Sequence, residues 1–429
     1  MMKKIMSVLA ILIIAATAYG NGIALNSPGT KALAMGGAFI SIADDYSAPY
    51  WNPAGLQNSE GMQVSFFLTD VIPVVTYKFD TFGIDAKSKI NHYTAPNAAF
   101  LWNCKLNDKL RMGLSAIVPA GLGVEWDGND LVALSGPQYF DPGQTILNQY
   151  VGTTFDWESK IGIMNFSLSA AYKLGDNLNI GGAFHFVYGT MEMKRGADML
   201  QNAAPTPTPG EDGVLDTQYS EESSGTGFGA GFGLQYMPGD NVTFGAAMRT
   251  RMTVGFSGDA KFGTTEHGFN RDITWPLWIG VGFAFNASEK LIISSEAQWT
   301  QWSTVDYLEA DYETVGIDSM TLLWKDAVQI RFGGEYMATD ELALRAGFYI
   351  DPAPGSNRTQ QILIPNANFV GYTFGFGYNI NKLTFDATFE YLKGTERNIS
   401  PGASMPGVGM PGTHGTNILA PSIAVTYKF

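Results

Sequence analysis

The chain has 429 residues, 50 of them glycine, with 13% aromatic but only 15% charged side chains and a formal net charge of −14. So acidic a chain excludes a nucleic-acid partner, which requires a basic face, and its single cysteine, Cys104, excludes an internal disulfide. Beyond residue 20 there is no apolar run of about 20 residues, which excludes helical membrane spans, while much glycine, many aromatics and little charge suit a transmembrane β-barrel.

Met1 to Gly20 reads as a secretory signal peptide. Lys3 and Lys4 give a positive start, Ile5 to Ala16 is apolar apart from Ser7, and Ala18 and Gly20 occupy −3 and −1 of a cut before Asn21. Losing the two lysines takes the charge from −14 to −16, 24 basic against 40 acidic residues. Residues 21–60 form a second unit, organised around Ala43 to Leu56. Pro49 and Pro53 fix φ and remove two backbone donors, and Gly55 opens conformations closed to other residues. So broken a stretch needs a scaffold to hold it.

Residues 61–429 are that scaffold, because from Gly61 onward the dominant period is two. In Leu383 to Tyr391 every odd position is apolar and every even one is Thr, Asp or Glu, the pattern of a strand between two unlike environments. Val242 to Phe256 alternates likewise, with Phe244, Met248, Met252 and Val254 expected on one face and Arg249 and Arg251 on the other. Short breaks near 106–109, 174–177, 237–240, 286–289, 338–341 and 379–382 read as hairpins. Between them lie long excursions, roughly 119–158, 195–224, 257–271, 305–325, 352–366 and 394–416. Outer-membrane barrels have this alternation of short periplasmic turns and long extracellular loops. Six hairpins give twelve strands, and one more at each end gives fourteen, the first near 61–80 and interrupted by Pro73. The fold class is therefore an all-β, 14-stranded antiparallel transmembrane barrel. The last strand ends in Phe429, like the signal read by the barrel-assembly machinery. A lumen of this size lies between side-chain-filled barrels and open porins, so residues 21–60 are its natural plug.

Several stretches together resemble one family. Leu33-Ala34-Met35-Gly36-Gly37-Ala38, Ala43-Asp44-Asp45 and Asn52-Pro53-Ala54-Gly55-Leu56 occur in the order and spacing of the hatch signature of the FadL/TodX outer-membrane transporters of long-chain fatty acids and other hydrophobic compounds. Trp324-Lys325-Asp326, Gly333-Gly334-Glu335-Tyr336, Leu344 to Phe348, Asp351-Pro352-Ala353-Pro354 and Ile364-Pro365-Asn366-Ala367 extend the likeness over the chain after the signal, although the family commonly has an acid where Asn366 stands. The resemblance implies a monomeric, passive, cofactor-free transporter. Its ligand would be captured at extracellular loops, held beside a hatch in which Asn52, Pro53, Ala54 and Gly55 act as gate, and released through a lateral gap at a kinked third strand. Here that strand, about Lys109 to Val118, runs into Pro119, Gly121 and Gly123. These residues either weaken the wall or end the strand at the rim.

Side-chain parity places Arg111, Arg249, Arg251, Arg331, Arg345, Glu296, Glu335, Asp386 and Glu390 inside. One or two of the arginines, Arg249 and Arg251 first and Arg345 next, could bind a ligand carboxylate; alternatively they neutralise lumenal acids. The apolar stretch containing Leu122, Val124, Trp126, Leu131, Val132, Leu134, Tyr139, Phe140 and Ile146 either captures hydrophobic molecules or packs on itself. Met191 and Met193 are expected to point inward, as adaptable apolar contacts or where the strand leaves the membrane. The alternate glycines of Gly225 to Gly233 form a lumenal face with room for the plug or a ligand, and Ala203 to Gly210 and Pro401 to Gly415 read as outer loops. The four histidines are scattered, with no metal set, and no nucleophile–base arrangement is legible. The rival readings are a surface, adhesion or phage-receptor barrel and, behind it, a barrel enzyme acting on lipids.

Overall fold

The structure is a computed structural model that describes residues 22–24, 28–105, 107–134, 156–197, 217–262, 265–313, 316–405 and 408–429. The signal stretch, Tyr139, Phe140, Ile146 and Ala203 to Gly210 lie outside the described residues.

Fourteen strands form the wall: β1 (Gln63–Phe79), β2 (Tyr93–Asn103), β3 (Leu110–Trp126), β4 (Trp157–Lys173), β5 (Leu178–Ala197), β6 (Thr217–Gly239), β7 (Val242–Arg249), β8 (Trp278–Ser288), β9 (Leu291–Thr300), β10 (Ala327–Met337), β11 (Leu342–Asp351), β12 (Phe369–Ile380), β13 (Leu383–Gly394) and β14 (Gly412–Lys428). Each pairs antiparallel with the next, and β14 closes on β1 from Gln63↔Lys428 to Lys78↔Thr413. All six short hairpins fall where the turn residues place them. The outward positions carry Phe66, Leu114, Phe184, Phe228, Phe374 and Ile423, each more than half exposed, which is the lipid-facing band that alternation requires.

Pro73 allows either a bent strand or a strand followed by a loop, and β1 runs through it as one strand, which excludes the second. Its last pair with β2 is Val71↔Tyr93, so Pro73 lies beyond the ladder on that side and its missing N–H costs little there. At the long-loop end β6 outruns β7, and its upper half instead pairs with Met252–Phe262. Thr265–Trp275, Tyr307–Tyr312 and Gly316–Thr321 extend that overhanging sheet in turn. A buried ion pair, Arg271 with Glu221, and the Tyr219–Tyr312 hydroxyl contact of 2.6 Å stitch it together.

Inside the ring lies the N-terminal segment, with α1 (Thr30–Ala34), α2 (Ala48–Trp51) and a 3-10 turn at Pro53–Asn58. Its hydrogen bonds reach strands on opposite sides of the barrel. Thr388 donates to the Thr30 carbonyl, Arg331 to Gly36 at 2.8 Å, and Gln57 to Ala171 at 2.7 Å. Met35, Phe39, Ile40, Tyr46 and Leu56 are buried against the wall.

Candidate functional site

The wall is not uniform. β2 and β3 pair only from Ala98↔Ala116 to Asn103↔Arg111. Above that, β2 stays with β1 and β3 stays with β4, leaving a slit between residues 93–97 and 117–124. At 3.3 Å per residue the slit is roughly 16 Å long. Its cause is a bulge: Ile117 faces Asn165 and Ala120 faces Ile163, three steps on β3 against two on β4. The extra residue bends the strand and reverses its faces. Thus Ile117 below, and Ala120, Val124 and Trp126 above, are all buried inward.

This corrects the expectation that the third strand ends near Val118 or at Pro119. β3 continues to Trp126, with Pro119 in the bulge and Gly121 and Gly123 on the outer face above it. The Asn97 side chain accepts from Val118 N at 2.6 Å and closes the slit below, while Lys89 N donates to the Glu125 carbonyl at 2.8 Å and closes it above. Inside, Ala24 forms an antiparallel bridge with Ala120 and the Ile23 carbonyl accepts from Gly121 N at 3.1 Å. The Tyr93 ring lies where a side chain on Gly123 would stand.

A cavity of about 420 Å³ passes through this region. Its inner lining includes Leu33 of α1, Asn366 and Leu392, and its outer lining includes Thr94, Gly162 and Thr190. It therefore spans the wall from the inner segment to the outer face.

Asn52 is fully buried. Its Nδ2 donates to the carbonyls of Ile40 (2.8 Å) and Leu234 (3.0 Å), and its Oδ1 accepts from Ala54 N at 3.1 Å. The wall makes room with glycine: a Cβ on Gly181 would overlap the backbone of Pro53 and Ala54, and one on Gly233 the Asn52 side chain. A Cβ on Gly55 would overlap Ala43, whose φ of 35° is itself left-handed. Of the glycine run, only Gly233 meets this segment. Gly231 lies against His185, and Gly225, Gly227 and Gly229 lie against 252–255 and Phe256.

The arginines are distributed differently from expectation. Arg249 and Arg251 do not share a face, because Gly231↔Arg249 and Gly227↔Val254 span four residues on β6 against five on the other strand. Thr250 fills the break by pairing with Ala230 through both N and Oγ1. Arg249 points inward, 4.0 Å from the Tyr50 ring and 3.7 Å from the Trp278 ring, and donates to the Tyr50 carbonyl at 2.9 Å. Arg251 is exposed and donates to Gln301. Arg345 joins a buried charge cluster, bound to Glu335 at 2.6 Å and Asp386 at 2.5 Å, with Lys31 of α1 bridging Glu335 and Asp44.

Leu131, Val124 and Trp126 are buried rather than displayed, and Trp126 donates to the Ile362 carbonyl at 3.2 Å. They join Met191 and Met193, both inward and buried, in an apolar cluster that caps the lumen. Leu122 lies on β3 between Ala120 and Val124. A residue missed from the sequence is Arg397. Among the described residues its guanidinium bonds only neutral groups, including Asn366 Oδ1 at 2.7 Å and the Gly355 carbonyl at 3.0 Å, and burial lowers its pKa to about 10. The departure at Asn366 was the available signal, because an acid there would face this cation.

The family model for outer membrane protein transport proteins (OMPP1/FadL/TodX) matches residues 11–139 and 140–429. A long-chain fatty acid transport protein of Salmonella typhi is 26% identical, with 92% of each chain covered. Among solved structures, a Pseudomonas aeruginosa FadL homologue superimposes with a TM-score of 0.78 at 16% identity, covering 95% of this chain and all of the other. The P. putida toluene transporter TodX gives 0.74 at 18% identity, covering 94% and 99%. The closed 14-stranded barrel, its lipid-facing band and the match along nearly the whole chain agree, and the protein belongs to the OMPP1/FadL/TodX family of outer-membrane transport proteins.

Proposed function

We propose that this transporter takes hydrophobic molecules, of the long-chain fatty acid or monoaromatic class, from the extracellular loops to the slit between β2 and β3. The N-terminal segment, residues 21–60, acts as a plug, and the slit releases the ligand sideways into the membrane. The observation that carries the reading is the single cavity running from Leu33 of the plug to Thr94 and Thr190 on the outer face. A lateral route suits an apolar cargo, which gains by leaving water for lipid. Movement follows the concentration gradient and needs no cofactor.

Catalysis is not part of this reading. The lumenal carboxylates Glu335 and Asp386 are tied to Arg345, and Glu390 accepts from the Tyr349 hydroxyl at 2.6 Å, so their geometry serves the wall. The outer-membrane lipids receive the cargo, and the barrel-assembly machinery is the partner proposed for the Phe429 terminus.

The test is uptake of labelled oleate and toluene by a deletion strain complemented with wild type or with a variant lacking Val118, which removes the extra bulge residue. Wild type restores uptake, whereas the straightened variant assembles and does not. Equal uptake by the deletion strain and wild type would overturn transport. Full uptake by the straightened variant would overturn the lateral route.

A further inference from the structure

The slit between β2 and β3 is not open along its whole length, because side chains cross it at three levels. At the bottom Asn97 Oδ1 accepts from Val118 N at 2.6 Å. At the top the Glu125 carbonyl accepts from Lys89 N at 2.8 Å, and its carboxylate from Lys89 Nζ at 2.8 Å and Asn91 Nδ2 at 2.7 Å. Between them stands Tyr93, the first residue of β2, whose backbone pairs with Val71 of β1. Its ring lies against Gly123, on the outer face of β3, where any β-carbon would overlap it. Asn91 also donates to the Tyr93 hydroxyl at 3.4 Å, so the amide that clasps Glu125 also steadies the ring.

What is left open is the stretch below the ring. It is edged by Thr94, Ala95 and Pro96 on β2 and by Pro119 to Leu122 on β3. At 3.3 Å per residue that window is roughly 10 Å tall, against roughly 16 Å for the slit as a whole. Pro96 and Pro119 have no N–H to donate across it. A β-carbon at Gly121 would meet nothing nearer than the Ile161 carbonyl at 3.5 Å, so space is free there, unlike at Gly123. Tyr93, Thr94, Ala95 and Gly121 all line the cavity of about 420 Å³. The Tyr93 ring is therefore the upper edge of the port through which that cavity reaches the outer face.

We propose that Tyr93 is the specificity-determining residue of the lateral port, admitting a single aromatic ring or an acyl chain and excluding fused-ring hydrocarbons. The inference rests on the transport reading and its lateral route. The blocking group is the ring rather than the hydroxyl, since ring carbons are what a side chain at Gly123 would meet. Strand pairing with β1 and β4 holds the backbone on either side, so a wider cargo passes only when the ring leaves its rotamer. Gly123 is the seat of the ring, and a methyl added there would push the ring aside and widen the port.

The experiment is whole-cell uptake of radiolabelled toluene and pyrene by the deletion strain carrying wild type, Tyr93→Ala, Tyr93→Phe or Gly123→Ala. Heat-modifiable migration shows that each barrel is folded. Wild type and Tyr93→Phe are expected to restore toluene uptake and to leave pyrene at the deletion-strain rate. Tyr93→Ala and Gly123→Ala should keep toluene within about twofold of wild type and raise pyrene about tenfold, the order of rate lost by holding one side chain off its rotamer. Vancomycin sensitivity should stay at the wild-type level, since a port into lipid opens no aqueous path. Pyrene uptake by wild type as fast as toluene, exclusion that persists in folded Tyr93→Ala, exclusion lost in Tyr93→Phe, or pyrene entry accompanied by vancomycin sensitivity would each overturn the inference while leaving transport intact. If Tyr93→Ala does not assemble, Gly123→Ala decides in the same way. Toluene uptake no faster with wild type than without it would overturn the transport reading itself.

Discussion

The Asn52 side chain holds Leu234 of β6: its Nδ2 donates to that carbonyl at 3.0 Å while also donating to Ile40, so one amide joins two parts of the plug to the wall. Asn52→Ala would take this donor from both carbonyls, leaving Ile40 O with Gln235 Nε2 at 3.3 Å, at a cost of about 1–3 kcal/mol in all. The expected outcome is a folded barrel with a looser plug, read as increased single-channel conductance in planar bilayers. Unchanged conductance would show that Asn52 is not what holds the gate.

Arg249→Ala and Arg251→Ala should behave differently although the two residues are two apart in sequence. Arg249 loses two ring contacts and a bond to the Tyr50 carbonyl, worth about 2 kcal/mol together in a desolvated setting. Its removal should raise conductance and lower the thermal midpoint. Arg251 is exposed and, among the described residues, holds only Gln301, so its removal should shift the midpoint by no more than about 0.5 kcal/mol equivalent. Thermal unfolding of both variants in the same detergent decides, and equal effects would return both to one face.

The barrel was legible because it rests on period and turn chemistry, which are local. Leu383 to Tyr391 shows its two faces residue by residue, and all six hairpins follow from Asn, Asp, Gly and Ser. Parity counting failed at Thr250-Arg251, where one inserted residue exchanges inside for outside from that point on, and the bulge at Val118-Pro119 hid the continuation of β3 to Trp126. A strand with an extra residue keeps its alternation, so nothing in the pattern reports the slip. Gly233 was visible as a small lumenal residue, but only the folded chain shows that it meets Asn52 and that Gly181 meets Pro53. Arg397 lies in an outer excursion, where periodicity says nothing about partners.

Asn366→Asp should stabilise the outer loops. Arg397 sits among neutral acceptors, and burial has already lowered its pKa to about 10. A carboxylate in place of the Asn366 amide, 2.7 Å from Nη1, would supply the missing countercharge through a charge-assisted bond of about 1.5–3 kcal/mol. The expected result is slower proteolysis of the 352–366 loop at neutral pH. Faster cleavage would mean that the added acid costs more in desolvation than it recovers.

The plug should loosen as pH rises towards neutrality, because of Asp45. Its Oδ1 accepts from Ser47 N and Oγ, while its Oδ2 is shielded from solvent and has no partner among the described residues. Burial, reinforced by the negative charge of Asp44, pushes its pKa from 3.8 up to about 7. A carboxyl raised in the docked plug binds a proton that the undocked one, near its ordinary value, has released. Docking is therefore favoured at low pH, weakens progressively between about pH 4 and 7, and levels off above that, each pK unit being worth about 1.4 kcal/mol. Conductance recorded from pH 5 to 7.5 should rise with pH in wild type and stay flat in Asp45→Asn, whose amide mimics the protonated acid. Conductance that falls across the same range, or a slope that persists in Asp45→Asn, would place the titrating group elsewhere in the barrel.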